Sequence, residues 1–305
     1  MSMDMTTRIE GGAVTAQDPH PNPPHAWGGS EDSSPPHRES REDNPHACAA
    51  PFSPPPQGGG GREGEPRAPH CTAPTNAHEP AALLAAMWLA SPALPVGGFS
   101  YSEGLEAAVD AGMVADEAQA LAWLRGQLQL TLARSELPVA CAAHAAWQAG
   151  DAAALQTIQT WVLSTRETAE LRQQTLQMGR SMLEWLRNLQ PAHPGLALAA
   201  QLPPAPAWPL AFALGALALG LDAEHTAHAL AFSWLDNQVH AAVRTVPLGQ
   251  SAGQRLLAAL TPDIPAAVAQ ARNLQVRMDD WQSFAPMLAI LSARHETQYS
   301  RLFRS

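Results

Sequence analysis

From Pro80 to Ser305 apolar positions recur at helical spacing, and nowhere do β-branched residues alternate with polar ones over four or more positions. "PAALLAAMWLA" (80–90) is an apolar helix that the prolines at 92 and 95 end, and "SEGLEAAVDAG" (102–112) starts after a serine and stops at Gly112. Asp116 followed by Gln119 is a capping-box arrangement that opens a helix through Arg134. "SELPVACAAHAAWQAG" (135–150) reads as the next helix, closed by Gly150, and Asp151 opens another. In 166–189 Leu171, Met178, Met182 and Trp185 fall on one face, with Leu176, Leu183 and Leu186 beside it. A Pro-rich loop (191–206) leads to "WPLAFALGALALGL" (208–221). That run is apolar all round but shorter than the ~20 residues a bilayer requires, so it predicts a buried core helix. Residues 222–246 form a further long helix, and three more lie near 251–260, 264–276 and 281–293. The pattern predicts an all-α domain of about ten helices over 80–305, without a sheet.

Residues 1–79 differ. They hold fourteen of the 28 prolines and nine of the 21 glycines, with no apolar periodicity, so too little surface is available to offset the entropy of ordering. A disordered extension is expected there. It carries His20, His25, His37, His46, His70 and His78, none at the close spacings by which a short peptide chelates an ion.

Composition then removes several classes of function. A formal net charge of −10 argues against a nucleic-acid partner. All eighteen basic residues are arginine, so a phosphate-binding loop with its lysine, or a Schiff-base lysine, is absent in its usual form. Three scattered cysteines (48, 71 and 141) make neither a disulfide framework nor a four-thiolate site. The opening "MSMDMTTRIEGG" lacks a secretory pattern, which leads to the expectation of a cytoplasmic protein with no membrane partner.

Four stretches carry candidate chemistry. "SPALPVGGFSYSEGLE" (91–106) interrupts the helices with two prolines and a Gly-Gly pair, and it follows a helix, where a dinucleotide loop or a nucleophile elbow follows a strand. Two readings remain: a tight connection with Ser100 or Ser102 capping the next helix, or an aromatic, polar recognition tip at Phe99 and Tyr101. Glu224 with His228 and Asp236 with His240 are paired at helical spacing, yet the pairs stand ~18 Å apart along the axis, too far to share one ion unaided. "VRTVPLGQSAGQRLL" (243–257) turns at Pro247 and Gly249 and leaves Gln250, Gln254 and Arg255 in want of partners. "SARHETQYSRLFRS" (292–305) sets Arg294, Arg301 and Arg304 among Tyr299 and Phe303, residue types enriched at binding hot spots.

Taken in order, "SPALPVGGFSYSEGLE", "RETAELRQQTLQMGR" (166–180), "AVRTVPLGQSAGQRLL" (242–257) and "SARHETQYSRLFRS" resemble the UreF family of urease accessory proteins. The resemblance runs from about residue 82 to Ser305; residues 1–79 lie outside it. It implies an all-helical, dimeric protein without catalysis of its own. Such a protein binds UreD (UreH) and the GTPase UreG, and the assembly brings nickel into apo-urease in a GTP-dependent way. Two roles are associated with the family, regulator of the GTPase and conduit for nickel. The alternative is a nickel-binding or relay protein using the extension and helix 224–240. The resemblance further implies partner contacts at Phe99, Ser100, Tyr101, Ser102 and Glu103 in the turn. It implies others at Arg294, His295, Tyr299, Arg301, Leu302 and Phe303 in the tail, at Arg166 and Glu170, and at Arg244, Gln250 and Gln254. Arg301 is expected near Tyr101 once a partner orders the tail, and Arg166 and Glu170 are expected to pair at i, i+4.

Overall fold

Among the described residues, 78–305 of the computed structural model, there are twelve α-helices and no strand. The first half runs α1 (His78–Ala90), α2 (Leu105–Asp110), α3 (Glu117–Gln127), α4 (Leu137–Ala149), α5 (Ala152–Ser164) and α6 (Ala169–Leu189). The second runs α7 (Pro194–Ala199), α8 (Trp208–Ala218), α9 (Ala223–Thr245), α10 (Gln250–Leu260), α11 (Ile264–Leu274) and α12 (Pro286–His295). Ten of the twelve have ten residues or more, in line with the about ten expected. The helix expected at 102–112 is the six-residue α2. The loop expected at 191–206 contains the short α7, which Pro194 opens and His193 caps. The expected extension lies outside the described residues, apart from the start of α1.

Caps form where the sequence places them. Asp116 accepts the Gln119 N–H at 2.8 Å, and the Gln119 side chain reaches back to the Ala115 N–H at 2.8 Å. Asp151, Thr168 and Asp222 cap α5, α6 and α9 in the same manner. The break expected after Arg134 is absent. α3 passes through a π-helical segment, Leu128–Glu136, straight into α4. Pro138 explains the wider turn, because it has no N–H for the Arg134 carbonyl and its ring crowds that group. The freed carbonyl accepts the Gln282 N–H at 3.0 Å instead. At the other end of the chain, the helix expected near 281–293 begins only at Pro286. A residue before proline is pushed out of the helical region, and Ala285 sits at φ −124°, ψ 89°.

α8 is the centre of the core. Its residues from Pro209 to Ala216 are all buried, as an all-round apolar helix demands. α4 and α6 flank it. Gly179 of α6 lets the backbone at Pro206 and Ala207 come close, since a Cβ there would overlap the Pro206 carbonyl oxygen. α9 crosses this group and carries α1, α2, α10 and α11 on its flanks. Thus α2, the N-terminal end of α6, α9 and α12 converge on one corner, where the turn at 97–104 and the last residues also lie.

Candidate functional site

The corner begins with an unusual turn. Gly97 and Gly104 have φ of 76° and 79°, in the left-handed region that glycine enters without strain. Glu103 is there too, at φ 50°, which costs a non-glycine residue about 1–3 kcal/mol. Its surroundings hold it in place. One carboxylate oxygen accepts from Gln174 Nε2 at 2.7 Å, the other from Trp234 Nε1 at 2.8 Å, and its N–H donates to the Ser305 carbonyl at 3.1 Å. Burial pushes the Glu103 carboxyl up from its ordinary pKa, while the Trp234 and Gln174 donors oppose the rise.

Into this turn the last five residues are laid like a strap. Glu106 of α2 accepts the Leu302 N–H at 2.7 Å and the Phe303 N–H at 3.0 Å. The Arg304 N–H reaches the Ser100 carbonyl at 2.9 Å. The Ser305 carbonyl accepts from Ser102 N at 2.8 Å and Ser102 Oγ at 2.6 Å, and the Ser305 hydroxyl donates to Gln174 at 2.8 Å. Ser102 Oγ also accepts the Glu106 N–H at 3.3 Å, serving a first-turn donor of α2 from two residues ahead of the N-cap, which is Gly104 and not the serine expected. Phe303 is buried, with the Arg244 guanidinium 4.8 Å from its ring centre.

α12 fastens the N-terminal end of α6. Thr168 and Ser292 share a hydrogen bond at 2.8 Å, and the Glu296 carboxylate accepts the Ala169 N–H at 2.8 Å. A carboxylate on exposed helix N–H groups is favoured by their partial positive charge. His295 is wholly buried between two acids, with Nδ1 2.7 Å from Glu170 and Nε2 3.1 Å from Glu106. Arg301 completes the set with a 2.7 Å contact to Glu170.

The strap, the turn and the start of α6 therefore bring together Ser100, Tyr101, Ser102, Glu103, Glu170, Arg244, His295, Arg301, Leu302 and Phe303 from four separated stretches. Several expectations change in detail. Tyr101, Ser102, His295 and Phe303 are buried, so they hold the corner together from inside and present no side chain outward. Arg301 binds Glu170, and the residue beside Tyr101 is Arg304. Burial raises the Tyr101 phenol above its usual pKa, against the Arg304 guanidinium. Arg166 does not pair with Glu170, because α6 starts only after Thr168 and position 166 is off the helix. Arg166 meets Glu136 at 2.6 Å instead. Gln250 and Gln254 lie exposed on α10, away from the bonds of the strap, and Arg255 beside them binds Glu117. What remains on the outside is Phe99, Arg244, Arg294, Tyr299, Arg301, Leu302 and Arg304.

Glu106, Gln174, Glu296 and Ser305 escaped the sequence reading of the site. Glu106 and Gln174 end or sit within two of the quoted stretches, and Glu106 shares α2 with the buried Leu105, Ala107 and Ala108. A charge on the apolar side of a short helix was the available signal. Behind the turn, a cavity of about 80 Å³ is lined by Glu103, Glu136, Arg166, Ser233, Trp234 and Gln238. It has room for about two or three waters, and these polar groups stand among mostly apolar walls that include Leu132, Met178 and Leu230.

The histidine pairs of α9 are engaged locally. Glu224 is bound by Arg272, His228 Nδ1 lies 2.9 Å from the Glu224 carbonyl, and His240 Nδ1 lies 2.8 Å from that of Asp236. Among the described residues no three His, Cys, Asp or Glu side chains are grouped to hold an ion. Nor is any of their helices long and apolar enough to cross a membrane. The histidines at 20, 25, 37, 46 and 70 lie outside the described residues.

The family model described as UreF matches residues 114–261. A urease accessory protein UreF from Methylibium petroleiphilum is 58% identical over 242 residues, which cover 79% of this chain and 100% of that protein. One from Paracidovorax citrulli is 56% identical over 232 residues, 74% of this chain and 90% of that protein. A bifunctional urease accessory protein UreEF from Bordetella bronchiseptica is 48% identical over 229 residues, 73% of this chain and 52% of its own length.

Proposed function

This chain belongs to the UreF family of urease accessory proteins, and from that premise we propose that it is a non-catalytic scaffold. It bridges UreD (UreH) and the GTPase UreG on apo-urease, so that nickel enters the urease active site at the expense of GTP. Nickel is then cargo of the assembly, and the nucleotide chemistry belongs to UreG, in keeping with a chain that has no lysine of its own. The scaffold acts in the cytoplasm as a homodimer.

One observation carries this reading. The strap is locked into the turn by main-chain bonds to Glu106, Ser100 and Ser102, and this fixes which side chains of an otherwise pliable chain end face outward. Those are Tyr299, fully exposed, Arg301, Leu302 and Arg304, with Phe99 on the turn. Aromatic and arginine side chains on a rigid support are what a partner uses as anchors, because little entropy remains to be lost on binding. The buried members of the corner position them.

Co-purification tests the proposal. The full chain is expressed with UreD and UreG, and compared with the double variant Tyr299→Ala/Leu302→Ala, which removes only exposed side chains. The expected result is loss of UreD or UreG from the complex with unchanged thermal unfolding. Retention of both partners at wild-type amounts would overturn the assignment of this surface.

A further inference from the structure

His295 is where the two halves of the corner meet. Its ring is fully enclosed, and each nitrogen faces a different carboxylate, Glu170 at 2.7 Å and Glu106 at 3.1 Å. A neutral imidazole has one N–H and one lone pair. It can donate to only one of these acids and must set its lone pair against an oxygen of the other. With both acids ionised, the two contacts are hydrogen bonds only when the ring carries two protons.

The same two acids hold the strap. Glu106 accepts the Leu302 and Phe303 N–H groups, and Glu170 binds Arg301. The charged groups around the ring are Glu106 from α2, Glu170 from α6 and Arg301 from the strap. Glu296, at the end of α12, is turned to the Ala169 and Glu170 N–H groups. With a doubly protonated ring, Glu106 and Glu170 are balanced by His295 and Arg301. Without that proton the enclosed set has one surplus negative charge, and a ring lone pair faces a carboxylate oxygen, which is costly in a low-dielectric setting.

We propose that His295 is a proton-operated latch on the C-terminal strap: the doubly protonated ring closes residues 301–305 onto α2 and α6, and loss of a proton releases them. The closed form holds one proton more than the open form. Its closing constant therefore falls by up to about tenfold for each unit of rising pH through the transition. Closure is favoured on the acid side and lost on the alkaline side. The latch needs only the corner itself, whatever partner the outer surface receives, so the exchange experiment below and the co-purification above can fail independently.

Hydrogen–deuterium exchange on the full chain tests it, at about pH 6 and about pH 8.5, the range in which histidine protonation is used as a switch. Rates are normalised to an unstructured peptide of the same sequence, which removes base catalysis. The protection of 296–305 relative to α8 is expected to fall about tenfold or more from the lower to the higher pH. In protein labelled with 15N-histidine, the His295 ring nitrogens should show the doubly protonated signature at the lower pH and lose it with the same midpoint. His295→Gln should leave the strap weakly protected at both pH values. A constant protection ratio in the wild type, or a wild-type pH profile in the variant, would overturn the latch. Should His295→Gln fail to fold, the wild-type arms decide alone.

Discussion

The α4–α6–α8 core and the corner around the strap are both buried, yet they are built from opposite chemistry. In the core, Phe212, Leu210, Leu214, Met182 and Leu186 meet without one charged neighbour among them, and contact is non-directional. In the corner, directional bonds from Glu106, Glu170, Glu103 and Ser102 do the joining, across as many as 203 positions of sequence. Apolar packing tolerates small shifts and gives way only when volume changes. A network of acids, one histidine and main-chain N–H groups is sensitive to a single proton or donor, while contributing less to global stability. The difference assigns stability to the one region and control to the other.

The largest effect should come from the core. Phe212→Ala deletes a wholly buried ring and is expected to cost about 3–5 kcal/mol in denaturant unfolding. Gly179→Ala should follow, at about 1–3 kcal/mol or more, because the added methyl meets main chain at Pro206 that cannot rotate away. Neither should change the pH dependence of strap exchange at fixed stability. If either did so while the protein remained folded, the division between the two regions would be lost.

That division also governs what could be read from sequence. Helices α3, α5, α6 and α9 were legible because local caps and periodicity agree, as at Asp116 and Asp151. The continuous passage from α3 to α4 was not, because it depends on Gln282 supplying the donor that Pro138 lacks, far away in the chain. The corner was legible only as separate stretches. Tyr101, His295 and Phe303 look from composition like surface anchors, and nothing local says that Glu106 will enclose one and receive the main chain of another. The contact that Arg301 makes in the chain alone was hidden for the same reason: Glu170, which also meets His295 of α12, lies 131 positions away.

Within the corner the effects should be smaller and dependent on pH. Burial raises the Glu103 carboxyl above its unfolded pKa, so the folded chain holds that proton more tightly than the unfolded one. The sign follows from linkage: the ionised acid weighs against the fold, and the cost is relieved as pH falls through the raised folded value. Glu103→Gln removes the ionisation and keeps a hydrogen-bonding group, with the Gln174 amide free to reverse because the Ser305 hydroxyl can serve as acceptor. Melting temperatures of the two proteins against pH should show the wild type gaining on the variant with acidification. The His295 contribution is common to both and cancels. A wild type that instead loses ground on acidification would mean the carboxylate is not the strained group.

The smallest expected effect separates two arginines. Arg255 makes the better ion pair by geometry, with Nε and a terminal nitrogen at 2.8 and 2.7 Å from the two Glu117 oxygens. Arg301 makes one contact, at 2.7 Å, but to an acid that also faces the enclosed His295. Solvent screens both pairs, and exposed pairs contribute about 0–1 kcal/mol, so Arg301→Ala should leave the melting temperature nearly unchanged. Its consequence is local. Glu170 loses its arginine, the strap loses the anchor at its first residue, and exchange of 301–305 should rise at every pH while the transition persists. Arg255→Ala should be silent in exchange of the strap at any pH, although it breaks the more regular bond. Equal effects of the two substitutions on strap exchange would show that the corner is ordinary surface, held no more specifically than α10 on α3.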